Sequence, residues 1–110
     1  MEKYEVIWTK SAKFDLEQII EYIKTDSTDI AKKIFYEIKN KCDDLYYFPK
    51  RKRVVPELQQ IGITKYREII YKRWRIIFKI DDNDNKIYVL IVIDSSRNLE
   101  DLLFQRLINN

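Results

Sequence analysis

YREIIYKRWRIIFKI (residues 66–80), followed by DDNDNKIYVLIVI (residues 81–93), decides the fold class of this chain. Residues 66–71 and 74–80 are rich in β-branched and aromatic side chains, a composition that predicts two strands. The polar run at 82–85 is a strong turn signal and separates them from a third strand at 87–93. Because that third strand is apolar without alternation, we expect a central strand that is covered on both faces.

Two amphipathic helices precede these strands. Residues 4–8 read as a short strand, and Thr9 stands at the N-cap of a helix whose apolar residues recur at helical spacing as far as Ile23. A polar break at 26–29 can end this helix and cap the next one. The second helix has one apolar face and runs to Leu45. A connection this short predicts an antiparallel helical hairpin. The apolar side of that hairpin is then expected to pack on a sheet.

The remaining segments complete one domain that spans residues 1–110. Phe48-Pro49 ends the second helix, residues 50–63 are expected to form an exposed loop, and Asn98 caps a C-terminal helix. The order is β-α-α-β-β-β-α. The fold class is α+β, a small antiparallel-dominated sheet packed against an N-terminal helical hairpin, with a C-terminal helix. That last helix is apolar over a wide surface, so a homodimer through it is one expectation for a partner. Its apolar residues are Leu99, Leu102, Leu103, Phe104, Leu107 and Ile108.

Composition excludes several classes of chemistry. The chain has no histidine and one cysteine, which rules out Ser-His and Cys-His catalysis and the usual zinc sites. Cys42 falls on the apolar stripe of the second helix and is expected in the core. No calcium loop is present, because the acidic residues at 81–84 lack its glycine and terminal glutamate. We expect no metal, no cofactor, no membrane contact and a cytoplasmic location, since neither a signal peptide nor a spanning segment is indicated.

The positive charge is concentrated. Residues 50–79 contain ten Lys or Arg and two acids, so this window carries +8 while the whole chain carries +3. Such a field attracts phosphates or an acidic protein partner. The two acids are Glu57 and Glu68, and Glu57 is interpreted as a cap or ion-pair partner in preference to a general base.

Strand alternation predicts which charges act together. Arg73, Arg75 and Lys79 should point away from the core face, and Arg67 and Tyr71 on the neighbouring strand are expected to share that outward face. Such a row could bind phosphates bidentately while a tyrosine stacks on a base; the alternative is a solvated face whose arginines pair with nearby acids. The candidate nucleic-acid-binding or target-binding residues are Lys50, Arg51, Lys52, Arg53, Arg67, Tyr71, Arg73, Arg75 and Arg97.

Over nearly its whole length the chain resembles the toxins of the RelE/ParE superfamily of type II toxin–antitoxin modules. The order and spacing of several short patterns carry this resemblance, and the Phe-Pro-x-Arg-x-Arg segment is closest to the ParE branch. These patterns are Thr9-x-x-Ala12, Leu45-x-x-Phe48-Pro49-x-Arg51-x-Arg53, Val55-Pro56-Glu57-Leu58, Gly62-Ile63-x-x-Tyr66-Arg67-Glu68, Trp74-Arg75-Ile76-Ile77-Phe78, and Arg97 before the last helix.

The resemblance implies a compact sheet with a helical hairpin against it and a cognate antitoxin whose C-terminal segment wraps and neutralises the toxin. It also implies one of two activities: RelE-like members cut messenger RNA on the ribosome, and ParE-like members poison DNA gyrase. In the nuclease reading, Arg67, Arg75 and Arg97 match the catalytic basic positions. The Tyr or His that such nucleases place shortly after the last arginine is missing, because residues 99–103 read LEDLL.

Three functional hypotheses follow. The first is a ParE-like toxin that inhibits growth by binding a target such as gyrase. The second is a ribosome-dependent endoribonuclease, the one reading under which the protein is an enzyme. The third is a non-toxic superfamily member that only binds an antitoxin. In each case an acidic amphipathic antitoxin segment is expected over the hairpin and the basic sheet.

Overall fold

The computed structural model describes residues 3–108, and over this range a five-stranded sheet is covered on both faces. The strands are β1 (Glu5–Trp8), β2 (Arg53–Val54), β3 (Tyr66–Tyr71), β4 (Trp74–Asp81) and β5 (Lys86–Asp94). The helices are α1 (Lys10–Lys24), α2 (Thr28–Asp43), α3 (Pro56–Gln59) and α4 (Leu99–Ile108), with 3-10 turns at Asp44–Tyr46 and Pro49–Arg51. No helix within residues 3–108 has both the length and the apolar character needed to cross a membrane.

The sheet order is β1-β5-β4-β3-β2, with β1 parallel to β5 and every other pair antiparallel. The antiparallel-dominated α+β architecture is therefore confirmed. Three helix starts are also confirmed: Thr9 accepts from the Ala12 N–H, Ser27 from that of Ile30, and Asn98 from that of Asp101.

The first core lies between the sheet and the α1–α2 hairpin. It buries apolar side chains of both helices, among them Leu16 and Ile38, against Ile76 and Phe78 of β4. Cys42 belongs to this core, as expected, and burial raises the pKa of its thiol to about 12. At neutral pH the thiol is therefore protonated and inert.

The second core covers the opposite face, which confirms β5 as a strand buried on both sides. Val55 and Leu58 from the segment before β3, together with Leu99 of α4, pack on Ile91 and Ile93. The prediction of an exposed loop over residues 50–63 was therefore wrong for the middle of that segment, although residues 50–53 and 59–62 are exposed. Two of its apolar side chains are needed to close this core, and burying them folds the segment into β2 and α3.

Side chains replace a missing strand at the outer edge of β5. β1 pairs with β5 only as far as Val89, and Leu90 then forms a bulge opposite β4. Beyond that point the carboxylate of Asp15 accepts from the Val92 N–H at 3.0 Å. It also pairs with Arg106, which donates to the Leu90 carbonyl at 2.8 Å. This bridge joins α1 to α4 around the sheet edge.

Replacing Asp15 with alanine is expected to lower the free energy of unfolding by about 1–3 kcal/mol, because the Val92 N–H and the Arg106 guanidinium both lose their acceptor. Urea denaturation checks this. Glu17→Ala, an exposed acid on the same helix, is the control and should cost less than about 0.5 kcal/mol. Equal effects of the two substitutions would contradict the bridge.

Candidate functional site

The register of β3 against β4 divides the predicted basic row between the two faces of the sheet. Arg67 lies opposite Phe78, and Tyr71 lies opposite Trp74, so both share the face that packs on the helical hairpin. Arg75 lies opposite Ile70, on the other face. The prediction that Arg67 and Tyr71 share the outward face of Arg75 was wrong, because their pairing is offset by one residue from the assumed alignment.

Tyr71 is buried, in contrast to its predicted place on the outward face. Its ring lies 6.2 Å from that of Trp74 at an interplanar angle of 24°, and the ammonium groups of Lys41 and Lys72 lie over it. Its hydroxyl is buried and has no hydrogen-bond partner within residues 3–108. A side chain held this way is not accessible for stacking on a base.

Arg75 is the centre of a buried ion-pair network. Its guanidinium donates two hydrogen bonds to the Glu57 carboxylate, at 2.6 and 2.7 Å, and one to Glu68 at 2.7 Å. Glu68, whose side chain is fully buried, also accepts from Arg53. The network thus joins β2, α3, β3 and β4, and the ion-pair interpretation of Glu57 is confirmed.

The hydrogen bonds from Arg75 hold the pKa of Glu57 below its ordinary value of 4.5. The bonds that Arg75 donates to Glu57, and after them the bond to Glu68, raise the pKa of Arg75 further above its already high ordinary value. Both partners are therefore charged at neutral pH, and the guanidinium faces carboxylates instead of solvent.

The lowered pKa of Glu57 predicts a specific loss of stability in acid. A carboxylate with a depressed folded-state pKa stabilises the protein above its unfolded value of 4.5, and this contribution disappears as the pH falls through the folded-state pKa. Glu57→Gln should therefore be less stable than the wild type at pH 7, with the difference shrinking below pH 4.5. Urea midpoints measured from pH 7 to 3 test this, and a difference independent of pH would contradict it.

Arg73 and Arg97 lie at the other end of the sheet from Arg67. Arg73 pairs with Asp94 at 2.6 Å, and both it and Arg97 line a groove of about 710 Å³ between α1, the start of α2 and the end of β5. The groove has apolar walls that include Trp74 and Ile34. Phe14, Tyr22 and Ile30 also line it and are more than half exposed.

The loop basic residues divide into paired and unpaired groups. Lys50 pairs with Asp82 at 3.1 Å, and Arg53 pairs with Glu68. The guanidinium of Arg67 donates to the Lys52 carbonyl at 2.7 Å, and Arg51 stacks 4.1 Å above the Phe48 ring. Among residues 3–108, no carboxylate lies within ion-pairing distance of Arg51, Lys52, Arg67 or Arg97.

The three candidate catalytic arginines are not brought together. Arg75 is enclosed by carboxylates on one face, and Arg67 lies on the other. Arg97 follows the end of β5, where Asp94 pairs with Trp74, whereas Arg67 pairs with Phe78. Four residues of extended strand separate those two β4 positions, a distance of about 13 Å.

Sequence reasoning missed the groove, the ion-pair network and the exposed aromatic residues at 46–48. The groove is formed by side chains from α1, α2 and β5, which lie far apart in the chain. No local sequence pattern therefore predicts it. The network had one signal, because Glu57 and Glu68 are the only acids within the basic window.

Comparison with known proteins agrees with this architecture. The sequence model of the ParE toxin of the type II toxin–antitoxin system parDE matches residues 6–99. None of the curated proteins compared with the chain matches it. A solved structure of the chromosomal ParDE system from P. aeruginosa is similar, with a TM-score of 0.67 and 17% identity over 84% of this chain and 96% of that one.

A second similar structure is the toxin–antitoxin complex RelBE2 from Mycobacterium tuberculosis. It has a TM-score of 0.54 and 21% identity, covering 88% of this chain and 97% of that one. At such identities the two structures establish only a shared fold. The family is established by the sequence model, because that model matches most of the chain. The chain therefore belongs to the ParE toxin family of type II toxin–antitoxin systems.

Proposed function

We propose that this protein is the toxin of a type II module, that it arrests growth in the cytoplasm by binding a protein target such as DNA gyrase, and that a cognate antitoxin neutralises it. One observation carries the choice of a binding mechanism over RNA cleavage. Arg75, the residue that would stabilise a charged phosphate, already donates three hydrogen bonds to Glu57 and Glu68.

Cleavage of a phosphodiester needs cationic groups that converge on the developing charge. Releasing Arg75 for that role would leave the fully buried Glu68 with only Arg53 as a partner, an unfavourable state for a carboxylate. Neither Arg67 nor Arg97 pairs with a carboxylate in the described part of the chain, but the two lie near opposite ends of the strands. This arrangement supports a toxin without nuclease chemistry.

A supercoiling assay tests the proposed target. The purified protein should inhibit gyrase-dependent supercoiling at concentrations that arrest growth, and unchanged supercoiling at those concentrations would contradict a gyrase target. Primer extension on messages after induction is the parallel measurement. Cuts at codon boundaries that disappear in Arg67→Ala or Arg97→Ala would establish the endoribonuclease instead.

Arg75→Ala is a poor probe for the nuclease reading, because it also removes the partner of two acids and would lower activity through lost stability alone. The exposed Arg97 is the cleaner choice. Harmless overexpression of the wild-type chain without an antitoxin would favour the third reading, a member that only binds an antitoxin.

The groove is the proposed binding site for the antitoxin. An amphipathic segment could bury its apolar side chains against Phe14, Tyr22 and Ile30, which are 59%, 75% and 56% exposed. Arg97 at the rim has no acidic partner among residues 3–108 and would pair with a carboxylate of an acidic segment. Exposed aromatic side chains around a groove are typical of interface anchors.

Co-expression tests this placement. Phe14→Asp with Tyr22→Asp should leave growth arrest intact while weakening rescue by the antitoxin, because only the groove is altered. Tyr36→Asp, which places a negative charge at an exposed aromatic position on α2 outside the groove, is the control. Full rescue of the groove variant would contradict the proposed site.

A homodimer through α4 is a second proposal about partners. Leu99, Leu102 and Leu103 already pack against the second core, which leaves Phe104 as the exposed apolar side chain of this helix, at 65%. The side chains of Leu107 and Ile108, which contributed to the expectation, lie outside the described part. Sedimentation equilibrium should show a dimer that Phe104→Ser weakens, and a monomer at every concentration would contradict it.

A further inference from the structure

Between the second helix and β2 the chain exposes aromatic and cationic side chains that no proposed role so far uses. Tyr47 and Phe48 are 49% and 46% exposed, although apolar rings of this size are usually buried. Their centroids lie 6.5 Å apart and their planes within 34° of parallel. Tyr46 supports this pair by an edge contact to Tyr47 at 4.8 Å.

Cations border these two rings. Arg51 stacks its guanidinium 4.1 Å above the Phe48 ring, and Arg67 is joined to Lys52 by its hydrogen bond to the Lys52 carbonyl. We call Tyr47, Phe48, Arg51, Lys52 and Arg67 the aromatic–basic ridge. None of the five lines the groove proposed for the antitoxin.

The cations of the ridge differ from four others in the same basic window. Lys50, Arg53, Arg73 and Arg75, in the same basic window, each pair with a carboxylate. The three cations of the ridge have no such partner among the described residues, so the ridge keeps its positive charge. It is therefore a local positive surface on a chain whose net charge is only +3.

We propose that the aromatic–basic ridge binds single-stranded nucleic acid, an activity that goes beyond the binding of a protein target and an antitoxin. Each nucleotide of a single strand presents one phosphate and one planar base, and the ridge presents cations beside rings that are about half exposed. Bases stack on aromatic rings and on guanidinium planes whatever their sequence. An acidic peptide would also satisfy the cations, but a single strand supplies in every repeat both a phosphate for a cation and a flat base that can stack on a ring.

Fluorescence anisotropy with labelled 12-mers of oligo(dT) and oligo(U) tests the proposal on the full-length protein. Three phosphate contacts predict a slope of log K against log salt of about −2 for a single strand, so affinity should fall about twentyfold between 50 and 200 mM salt. Comparing the two oligonucleotides decides between DNA and RNA as the strand that is bound.

Two variants separate stacking from charge. Tyr47→Ala with Phe48→Ala should weaken binding about tenfold or more at both salt concentrations and leave the slope unchanged. Arg51→Gln with Lys52→Gln should flatten the slope by about 1.4. Both pairs are exposed, and thermal melts will verify that each variant folds.

Lys32→Gln with Lys33→Gln is the matched control for charge, since it removes the same charge from exposed positions on α2. Tyr22→Ala is the control for the loss of an exposed ring, and both controls should bind like the wild type.

Absence of binding at 50 mM salt, or equal losses in ridge and control variants, would overturn the proposal. Ridge variants that bind oligonucleotides normally but no longer bind the target protein would also overturn it and identify a protein interface. Inhibition of gyrase is measured separately, so this proposal and the proposed function can fail independently.

Discussion

Replacing Arg75 with alanine is expected to lower the free energy of unfolding by about 3–5 kcal/mol, the cost typical of removing one partner from a buried ion pair. Glu68 would keep its charge in a fully buried position with only Arg53 beside it, and Glu57 would lose both of its bidentate hydrogen bonds. The measurement is urea denaturation followed by circular dichroism at pH 7.

Arg73→Ala provides a matched control, because Arg73 lies two positions earlier and pairs with Asp94 while remaining 65% exposed. An exposed pair of this kind contributes at most about 1 kcal/mol. The contrast between the two variants is the decisive readout. If both cost the same small amount, the network does not hold β3, β4 and α3 together, and Arg75 would again be available for a functional role.

The second large effect is expected in the first core. Phe78 is completely buried between the sheet and the helical hairpin, so Phe78→Ala should cost about 3–5 kcal/mol through lost apolar contact and the cavity left behind. Phe78→Leu keeps most of the volume and is expected to cost less than about 1.5 kcal/mol. Denaturation midpoints for the two variants test this ordering.

Phe104→Ala removes the same ring from an exposed position on α4 and serves as the control. It should change the free energy of unfolding by less than about 0.5 kcal/mol. A large effect of Phe104→Ala on the monomer would mean that α4 buries this ring. A small effect of Phe78→Ala would contradict the central place of β4 in the first core.

Much of the architecture could be read from local patterns. The bounds of β3 agree with the prediction, whereas β4 extends one residue further at its C-terminal end and β5 one residue further at each end. The caps of α1, α2 and α4 were also predicted, because a capping hydrogen bond joins residues only three positions apart. The segment from 50 to 63 was misread because its structure depends on a core completed by distant strands.

The sequence by itself determined the fold class, the two-sided burial of β5, the family and the concentration of positive charge, since each depends on local patterns along the chain or on composition. Only the tertiary structure decided which of those charges remain free. One residue of register places Arg67 and Arg75 on opposite faces, and α3 then brings Glu57 onto Arg75. Ion pairing depends on distances of a few ångströms between segments far apart in the chain, and no local pattern encodes such distances.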